Sequence, residues 1–230
     1  MATFVLVHGG WHGGWCWKKV VPLVRAAGHT VFTPTLTGLG ERAHLLTPAI
    51  DLTTHVRDIL GVLEYEDLQR VILVGHSSSG MPLSDVADQA ATRVAHLVYL
   101  DAFLQEPGKA VRDYADGVAL DEEVRVHGDG WRLPLRWTLE NLGVTDSADV
   151  AWMAPRLGDH PYKAMTQPVQ VTPDRLHSLQ RTYIQTTPGF AQHAERAKRW
   201  GFGYYELLSG GHDVMVTKPA ELVKIFLELV

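Results

Sequence analysis

The strongest structural signal in the chain is the stretch Val71-Ile72-Leu73-Val74-Gly75-His76-Ser77-Ser78-Ser79-Gly80-Met81. Its first four residues form a continuous apolar run that ends at Gly75, which is typical of a fully buried strand in a parallel sheet. Apolar residues with helical spacing follow, from Leu83 to Val94. The stretch therefore predicts a serine on a tight turn between a buried strand and a helix.

Strand and helix patterns alternate along most of the chain on either side of this turn. The predicted strands cover 4–7, 30–33, 71–74, 97–100, 182–185 and 204–208, and the predicted helices cover 15–27, 56–63, 83–94, about 190–200 and 219–229. This alternation is typical of an α/β fold with about six parallel strands flanked by helices. Residues 104–178 contain no clear strand, so we predict a mostly helical insertion there, while 1–103 and 179–230 form the core of a single domain.

Composition excludes several classes of protein. The chain has 230 residues, of which 46% are hydrophobic and 20% charged, which indicates one ordered globular domain rather than a disordered chain. A formal charge of −5 argues against a nucleic-acid partner. The single cysteine, Cys16, excludes an intrachain disulfide and is compatible with a reducing compartment. No apolar run is long enough for a membrane span, and the N-terminus has no secretory pattern. We therefore expect a cytoplasmic protein without membrane partners, and a homodimer is compatible with the sequence.

Polar residues of catalytic types follow several predicted strands. In an open parallel sheet, ligands bind beyond the carboxyl ends of the strands, so these residues are the candidates for a site. Ser77, Asp101 and His212 each follow a different strand. Ser77 is favoured over Ser78 as a nucleophile because Gly75 precedes it by two residues and relieves crowding at the strand exit. A serine alcohol needs an adjacent base, and His212 lies between the last predicted strand and the last helix.

The glycine-rich segment His8-Gly9-Gly10-Trp11-His12-Gly13-Gly14 follows the first strand. Its backbone amides are suited to face a ligand, but it contains neither a G-K-[ST] nor a G-x-G-x-x-G phosphate-binding pattern. A metal site made by His8 and His12 is disfavoured, because their four-residue spacing requires a helix and glycines flank both. We expect no metal and no cofactor.

Three motifs together carry a family resemblance: F-V-L-V-H-G-G-W-H-G-G-W-C-W, G-H-S-S-S-G-M and G-G-H-D-V-M-V-T-K-P. The chain resembles the α/β-hydrolase superfamily, in the branch of plant methyl esterases, hydroxynitrile lyases and small bacterial esterases similar to pyrethroid hydrolases. The resemblance implies that Ser77 is the nucleophile, that His212 is the base, and that the backbone amides of Gly10 and Ser78 form the oxyanion hole. It also implies that the insertion is a cap over the active site.

The acid of the catalytic triad is missing from its usual place. In this branch it follows the penultimate strand, but the stretch from Tyr183 to Phe190 contains no carboxylate. Asp101 follows the strand after the nucleophile and preserves the chain order serine, acid, histidine. The alternatives are a triad completed by Asp101 and a serine–histidine dyad. Asp213 and Glu206 are poorer candidates, because the first adjoins His212 and the second lies within a strand.

These observations lead to the interpretation of a serine carboxylic-ester hydrolase that forms an acyl-enzyme with a small apolar or aromatic ester. Trp11, His12, Trp131 and Trp137 are expected to contact this substrate, although core packing explains the tryptophans equally well. The alternatives are a hydroxynitrile lyase and a non-catalytic ligand-binding protein. By the resemblance, such lyases carry a threonine where this chain has Gly9 and a lysine where it has Asp213.

Overall fold

The structure is a computed structural model that describes residues 1–170 and 179–230. Its strands are β1 (Thr3–Val7), β2 (Thr30–Phe32), β3 (Val71–His76), β4 (Val94–Leu100), β5 (Arg132–Leu133), β6 (His160–Pro161), β7 (Gln180–Gln185) and β8 (Gly203–Glu206). Six of them form one sheet in the order β2-β1-β3-β4-β7-β8, and every neighbouring pair in it is parallel. The predicted sheet of about six parallel strands is confirmed.

Helices cover both faces of this sheet. The α-helices are α1 (Val21–Ala26), α2 (Leu52–Tyr65), α3 (Gly80–Gln89), α4 (Gly117–His127), α5 (Ser147–Met153), α6 (Tyr162–Thr166), α7 (Ala191–Arg199), α8 (Val214–Thr217) and α9 (Pro219–Glu228). Short 3₁₀ turns cover Gly14–Trp17, Gly40–Leu45, Ser77–Ser79, Val111–Asp113, Ala154–Arg156, Pro188–Phe190 and Leu208–Gly210. No helix among the described residues combines the length and the apolar character that crossing a membrane requires.

β1 and β3 carry apolar runs because both of their faces are buried. Along β1, Val5 and Val7 pack in one core cluster, whereas Phe4 and Leu6 pack in the other. All six residues of β3 are buried. Alternate side chains of a strand point to opposite faces, so a strand covered on both sides reads as a continuous apolar run. This is why the sequence revealed these strands.

The strand order creates a crevice at the carboxyl ends of β1 and β3. β1 has β2 on one side and β3 on the other, so the order of the strands reverses there, which is the usual ligand position in such sheets. The loops after these strands approach each other closely. A Cβ added to Gly9 would lie 2.8 Å from Ser77 Cβ and 2.9 Å from His76 Nδ1. Only glycine therefore fits at position 9 with this backbone.

Several predicted boundaries were wrong. The helix predicted over 15–27 is a 3₁₀ turn followed by the short α1, which has a proline in its first turn. The helix predicted to reach Val94 ends at Gln89, and Val94 begins β4. Val94 packs in the same core cluster as Leu83 and Val86, so its apolar character reflects a shared core rather than a shared helix. The last predicted strand ends at Glu206 rather than at 208.

The predicted insertion 104–178 contains two strands that the sequence did not reveal. β5 pairs antiparallel with β6, and each strand has two residues, too few to show an alternating pattern. The other described elements of this segment, α4, α5, α6 and the 3₁₀ turns, are helical. Residues 171–178 of the predicted insertion lie outside the described residues.

Candidate active site

Ser77 lies on a sharp turn between β3 and α3. Its φ is 55°, in the left-handed region that is costly for residues with a Cβ. A Cβ at Gly75 would lie 2.6 Å from Leu83 Cδ1, and one at Gly80 would overlap the carbonyl oxygen of Phe103. Both glycines are therefore required by close packing around the turn. Ser79 stands where a glycine is usual in such turns, and its hydroxyl donates to the carbonyl oxygen of His8.

The structure brings Asp101 and His212 together. The His212 Nδ1–H donates to Asp101 Oδ2 at 2.8 Å. Asp101 is fully buried, with a φ of 42° directly after β4. Its Oδ1 accepts hydrogen bonds from the backbone amides of Thr186 and Thr187 at 2.9 and 3.0 Å, and its Oδ2 also accepts from Thr187 Oγ1 at 2.7 Å. The end of β7 thus supplies hydrogen-bond donors for this carboxylate rather than a carboxylate of its own.

The imidazole of His212 is held between two other rings. Phe190 stacks on it with a centroid distance of 5.1 Å and an interplanar angle of 8°, and His76 lies 4.5 Å away on centroids. His76 Nε2–H donates to the backbone carbonyl of His212 at 3.0 Å. Burial, followed by the neighbouring His212, lowers the pKa of His76 well below its usual value, so His76 is neutral. These contacts orient the loop that carries His212.

Ser77 and His212 both line one cavity, but the hydrogen bonds among the described residues do not include one between these two side chains. In enzymes without bound substrate such catalytic hydrogen bonds are often long and shorten in the complex. Gly10 and Ser78 line the same cavity. The two residues predicted to supply oxyanion donors therefore lie beside the predicted nucleophile and base.

The loop after β1 is fixed to the insertion and to its own backbone. Trp11 has a φ of 64°, and its carbonyl oxygen accepts from the amide of Gly158 at 3.1 Å. Its indole Nε1–H donates to the carbonyl oxygen of Leu133 at 2.8 Å. The His12 Nδ1–H donates to the carbonyl oxygen of Gly10 at 2.6 Å. Both flanks of the Gly10–Trp11 peptide are thus held by hydrogen bonds.

The cavity has a volume of about 660 Å³ and a mainly apolar wall. Its aromatic lining residues are Trp11, Phe103, Tyr114, Trp137 and Phe190. Trp11 and Trp137 meet edge to face at 5.1 Å, and Trp137 is 47% exposed. A cavity of this size, with a mainly apolar wall and polar groups at Ser77 and His212, suits a small organic ligand.

The structure corrects one predicted contact and restricts how a second residue could bind a ligand. Trp131 does not line the cavity: it precedes β5, its carbonyl oxygen accepts from the amide of Tyr162, and the Arg132 guanidinium lies 5.6 Å from its ring. Leu133, two residues further along, lines the cavity instead. His12 lines the cavity, but both its ring nitrogens contact protein acceptors, Gly10 and Asp213. It is therefore not free to bind a ligand through these nitrogens.

Further residues at this site gave no recognisable sequence signal. Phe190, Thr187 and His193 all line the cavity. Thr187 holds Asp101, and Phe190 covers His212. Thr187 and Phe190 lie in the stretch after β7 where the acid was sought, whereas His193 lies in α7.

Buried neutral histidines lie around the site. Burial lowers the pKa of His8 to about 3, opposed by its hydrogen bond to the Gly9 carbonyl and assisted by the charges of His12 and His55. Burial and the charge of Arg196 lower that of His193 to about 4. His160 is 2% exposed, and burial lowers its pKa well below the usual value. No group of three or more candidate ligands for a metal ion is found in 1–170 and 179–230.

Acidification should destabilise the fold through these histidines. The folded-state pKa of His160 lies below the unfolded value of about 6.5, so its contribution to stability is present above pH 6.5 and is lost as pH falls below it. His160→Leu should make the acid limb shallower by up to about 1.4 kcal/mol per pH unit. Urea unfolding at pH 7, 6 and 5 measures this slope, with His44→Leu at an exposed position as the control. An unchanged slope in His160→Leu would contradict the prediction.

Comparison with known proteins agrees with this architecture. The model of the alpha/beta hydrolase family matches residues 4–225. A carbendazim hydrolyzing esterase from Nocardioides sp. is 55% identical over 111 residues, a match that covers 48% of this chain and 46% of that protein. Methylesterase 7 of Arabidopsis thaliana is 30% identical over 251 residues, covering 98% of this chain and 95% of the relative.

Solved structures show the same fold. An extracellular alpha/beta-hydrolase from a Paenibacillus species superposes with a TM-score of 0.85 at 22% identity, covering 99% of this chain and 98% of the other. A pyrethroid hydrolase superposes with a TM-score of 0.80 at 21% identity, covering 100% and 97%. The chain belongs to the alpha/beta hydrolase family. Its esterase relatives support an enzyme of the hydrolase class, of the esterase type.

Proposed function

We propose that this protein is a serine carboxylic-ester hydrolase that works through an acyl-enzyme. The observation that carries the proposal is the hydrogen bond to the buried Asp101 from His212, which lines the same cavity as Ser77. A carboxylate on Nδ1 fixes the tautomer in which Nε2 is free to accept a proton, and it stabilises the imidazolium that forms. This is what a serine alcohol needs to become a nucleophile at neutral pH.

In the proposed acylation, Ser77 Oγ attacks the ester carbonyl carbon while His212 Nε2 takes the hydroxyl proton. The carbonyl π electrons move to oxygen, and the resulting oxyanion accepts hydrogen bonds from the backbone amides of Gly10 and Ser78. When the tetrahedral intermediate collapses, the bond to the alcohol oxygen breaks and His212 donates its proton to that oxygen. The alcohol leaves, and the acyl group stays on Ser77.

Deacylation repeats these steps with water as the nucleophile. His212 takes a proton from the water as its oxygen attacks the acyl carbon, and it returns this proton to Ser77 Oγ when the acid leaves. In both half-reactions the protons move only among Ser77, His212, the attacking water and the substrate. These steps use no metal and no cofactor.

The cavity wall favours a small apolar or aromatic ester as the substrate. Phe103, Tyr114 and Phe190 offer ring faces and edges, and the volume of about 660 Å³ leaves room for both parts of such an ester. The relatives are named for carbendazim hydrolysis and as methylesterases, so carbendazim and methyl esters belong in the substrate panel.

The lyase alternative is disfavoured by two features of this site. A threonine at position 9 would collide with Ser77 and His76, so the chain carries glycine there. Asp213 occupies the position of the lysine expected for a lyase, and it is buried against His12. No lysine is therefore available at this position to hold an anionic leaving group such as cyanide. Ester cleavage with a protonated leaving alcohol avoids this difficulty.

Covalent labelling tests the proposal directly. A p-nitrophenyl alkylphosphonate should release one equivalent of p-nitrophenol per chain and leave its phosphonyl group on Ser77, which peptide mass spectrometry locates. Steady-state turnover of p-nitrophenyl acetate, p-nitrophenyl benzoate, methyl benzoate, carbendazim and a pyrethroid ester then defines the substrate class. No labelling and no turnover would favour the non-catalytic ligand-binding alternative.

Trp137→Ala should weaken the binding of aromatic esters more than their chemistry. Trp137 lines the cavity, and the loss of one aromatic contact with the substrate corresponds to about 0.5–1.5 kcal/mol, or roughly a 2- to 12-fold rise in KM for p-nitrophenyl benzoate, with kcat within about threefold. The matched control is Trp200→Ala, since Trp200 is 40% exposed and does not line the cavity. A fall in kcat with an unchanged KM would contradict the assignment of Trp137 to substrate binding.

A further inference from the structure

His12 and Asp213 form a buried pair that has no step in the proposed ester hydrolysis. Their exposed fractions are 2% and 0%, and His12 Nε2 lies 3.3 Å from each carboxylate oxygen. The two residues are 201 positions apart in the sequence, yet each adjoins the site. His12 follows Gly10 by two positions, and Asp213 directly follows His212. The pair therefore connects the loop of a proposed oxyanion donor with the loop of the proposed base.

The geometry assigns a proton to each nitrogen of the His12 ring. Nδ1 lies 2.6 Å from the carbonyl oxygen of Gly10, which can only accept a hydrogen bond. Nε2 faces the Asp213 carboxylate, which when ionised also can only accept. A neutral imidazole has one N–H and would place a lone pair against one of these acceptors in a buried site. An imidazolium satisfies both contacts.

The electrostatic surroundings agree with this charged pair. Burial lowers the pKa of His12, but the charge and hydrogen bond of Asp213 and the Gly10 carbonyl outweigh it and raise that pKa overall. Burial raises the pKa of Asp213, but the charge and hydrogen bond of His12 outweigh it and lower that pKa overall. Other titratable groups facing the pair are His8 after β1, His76 on β3, Cys16 in the first 3₁₀ turn and the neighbouring His212. Trp15 stacks on the His12 ring at 5.5 Å.

We propose that His12 is a positioning residue for the oxyanion hole. Asp213 orients the His12 ring, and the ring holds the Gly10 carbonyl by a hydrogen bond. This bond fixes the backbone of Gly10, whose amide faces the developing oxyanion. This inference rests on the proposed ester hydrolysis. Gly10 has no side chain to restrict its backbone, so the hydrogen bond from Nδ1 supplies the restraint that packing gives other residues. The role of Asp213 toward His12 parallels that of Asp101 toward His212.

A positioning role and a purely structural role predict different kinetics. The oxyanion exists only near the transition state, so a loosened Gly10 amide lowers kcat and leaves KM nearly unchanged. A purely structural pair affects stability instead. Buried ion pairs replaced together by apolar residues often leave stability unchanged or increased, whereas removal of one partner leaves an unpaired buried charge. The informative variant therefore replaces both partners.

The test compares the parent with the double variant His12→Phe/Asp213→Leu. This variant should fold with a Tm close to that of the parent, because no unpaired charge remains. Its kcat for p-nitrophenyl acetate should fall about 30- to 100-fold, with KM within about threefold. This loss in kcat is smaller than the roughly 10²- to 10³-fold loss expected when an oxyanion donor is removed altogether. A parental kcat, or a higher KM with the same kcat, would overturn the proposal.

Two further variants complete the comparison. Asp213→Asn keeps the donor to Gly10, because a neutral His12 retains Nδ1–H and Nε2 can accept from the new amide, so its kcat should fall less than tenfold. The matched control is His96→Leu/Thr182→Val, which removes another buried histidine hydrogen bond, 2.8 Å long, near the amino end of β4. It should leave kcat at the parental value. If this control lowers kcat as much as His12→Phe/Asp213→Leu does, the effect is a general one and the proposal fails.

Nuclear magnetic resonance separates this inference from the proposed hydrolysis. In the parent at pH 6, long-range ¹H–¹⁵N spectra should show protons on both His12 nitrogens, and Asp213→Asn should show one on Nδ1 only. The amide signals of Gly10 and Trp11 should broaden by exchange in His12→Phe/Asp213→Leu. If that variant does not fold, His12→Gln/Asp213→Asn takes its place, and the same broadening is expected. Sharp, unshifted Gly10 and Trp11 amides would overturn the positioning role even if the parent had no esterase activity. Absence of turnover with the expected spectra would instead count against the proposed function alone.

Discussion

Ser77→Ala is expected to reduce kcat for ester hydrolysis by about 10⁴–10⁶ while the protein keeps its fold. Alanine and serine both carry a Cβ, so the φ of 55° at this turn costs the same in both chains. The lost group is the hydroxyl that would attack the ester, and the residual rate would come from the oxyanion donors and from binding, on the order of 10³-fold over water. Stopped-flow burst kinetics with p-nitrophenyl acetate, together with circular dichroism, measure both quantities.

Two companion variants make this result specific to Ser77. Ser77→Gly should be equally inactive yet more stable than Ser77→Ala, because glycine adopts a positive φ without the cost of roughly 1–2 kcal/mol that a Cβ carries. Ser78→Ala should lower kcat far less, since the proposed role of Ser78 uses its backbone amide. An inactive Ser78→Ala beside an active Ser77→Ala would show that the nucleophile has been misassigned.

The inner strands β1, β3 and β4 could be predicted from the sequence because they are buried on both faces. Such strands read as apolar runs, and their carboxyl ends identified where Ser77, Asp101 and His212 would meet. The structure brings Asp101 and His212 into contact at 2.8 Å. β5 and β6 could not be predicted, because a pair of two-residue strands carries no periodic pattern.

Contacts between distant segments were the other part that the sequence could not provide. His12 was expected to contact substrate, but its nitrogens are engaged by Gly10 and by Asp213, 201 residues away. Thr187 supports Asp101 through its amide and its hydroxyl. The two residues are 86 positions apart, so no local sequence pattern indicates this contact. Trp131 was expected to contact substrate because of its aromatic side chain. Residue type alone does not indicate which side of a segment faces the cavity.

The missing carboxylate after β7 is the departure from the family pattern with the clearest structural explanation. The amides of Thr186 and Thr187 point at Asp101 Oδ1, and the Thr187 hydroxyl donates to Oδ2. The segment in which the family resemblance places the acid here binds Asp101, which directly follows β4. Buried carboxylates need such donors, because an unpaired buried charge is strongly destabilising. The arrangement argues for a complete triad rather than a dyad.

Asp101→Asn should lower kcat by about 10³–10⁴ with little change in the fold, because the new amide has only one favourable orientation. Thr186 and Thr187 present N–H donors to the Oδ1 side, so the Asn oxygen must face them and its NH₂ group must face His212. That group would donate to His212 Nδ1 and force the proton onto Nε2, where the base must be free to accept from Ser77.

The comparison variants for Asp101→Asn are Glu206→Gln and Asp213→Asn, both of which should stay within about tenfold of the parental kcat. Glu206 is exposed at the end of β8, where it accepts a hydrogen bond from Tyr204 at 2.6 Å. Steady-state kinetics at pH 7 measure kcat, and ¹⁵N resonance shows which nitrogen of His212 carries the proton. A Nδ1–H tautomer with near-parental kcat in Asp101→Asn would mean that the enzyme runs on Ser77 and His212 alone. A Nε2–H tautomer with kcat reduced at least 10³-fold is the result expected if Asp101 acts by holding the base in its reactive form.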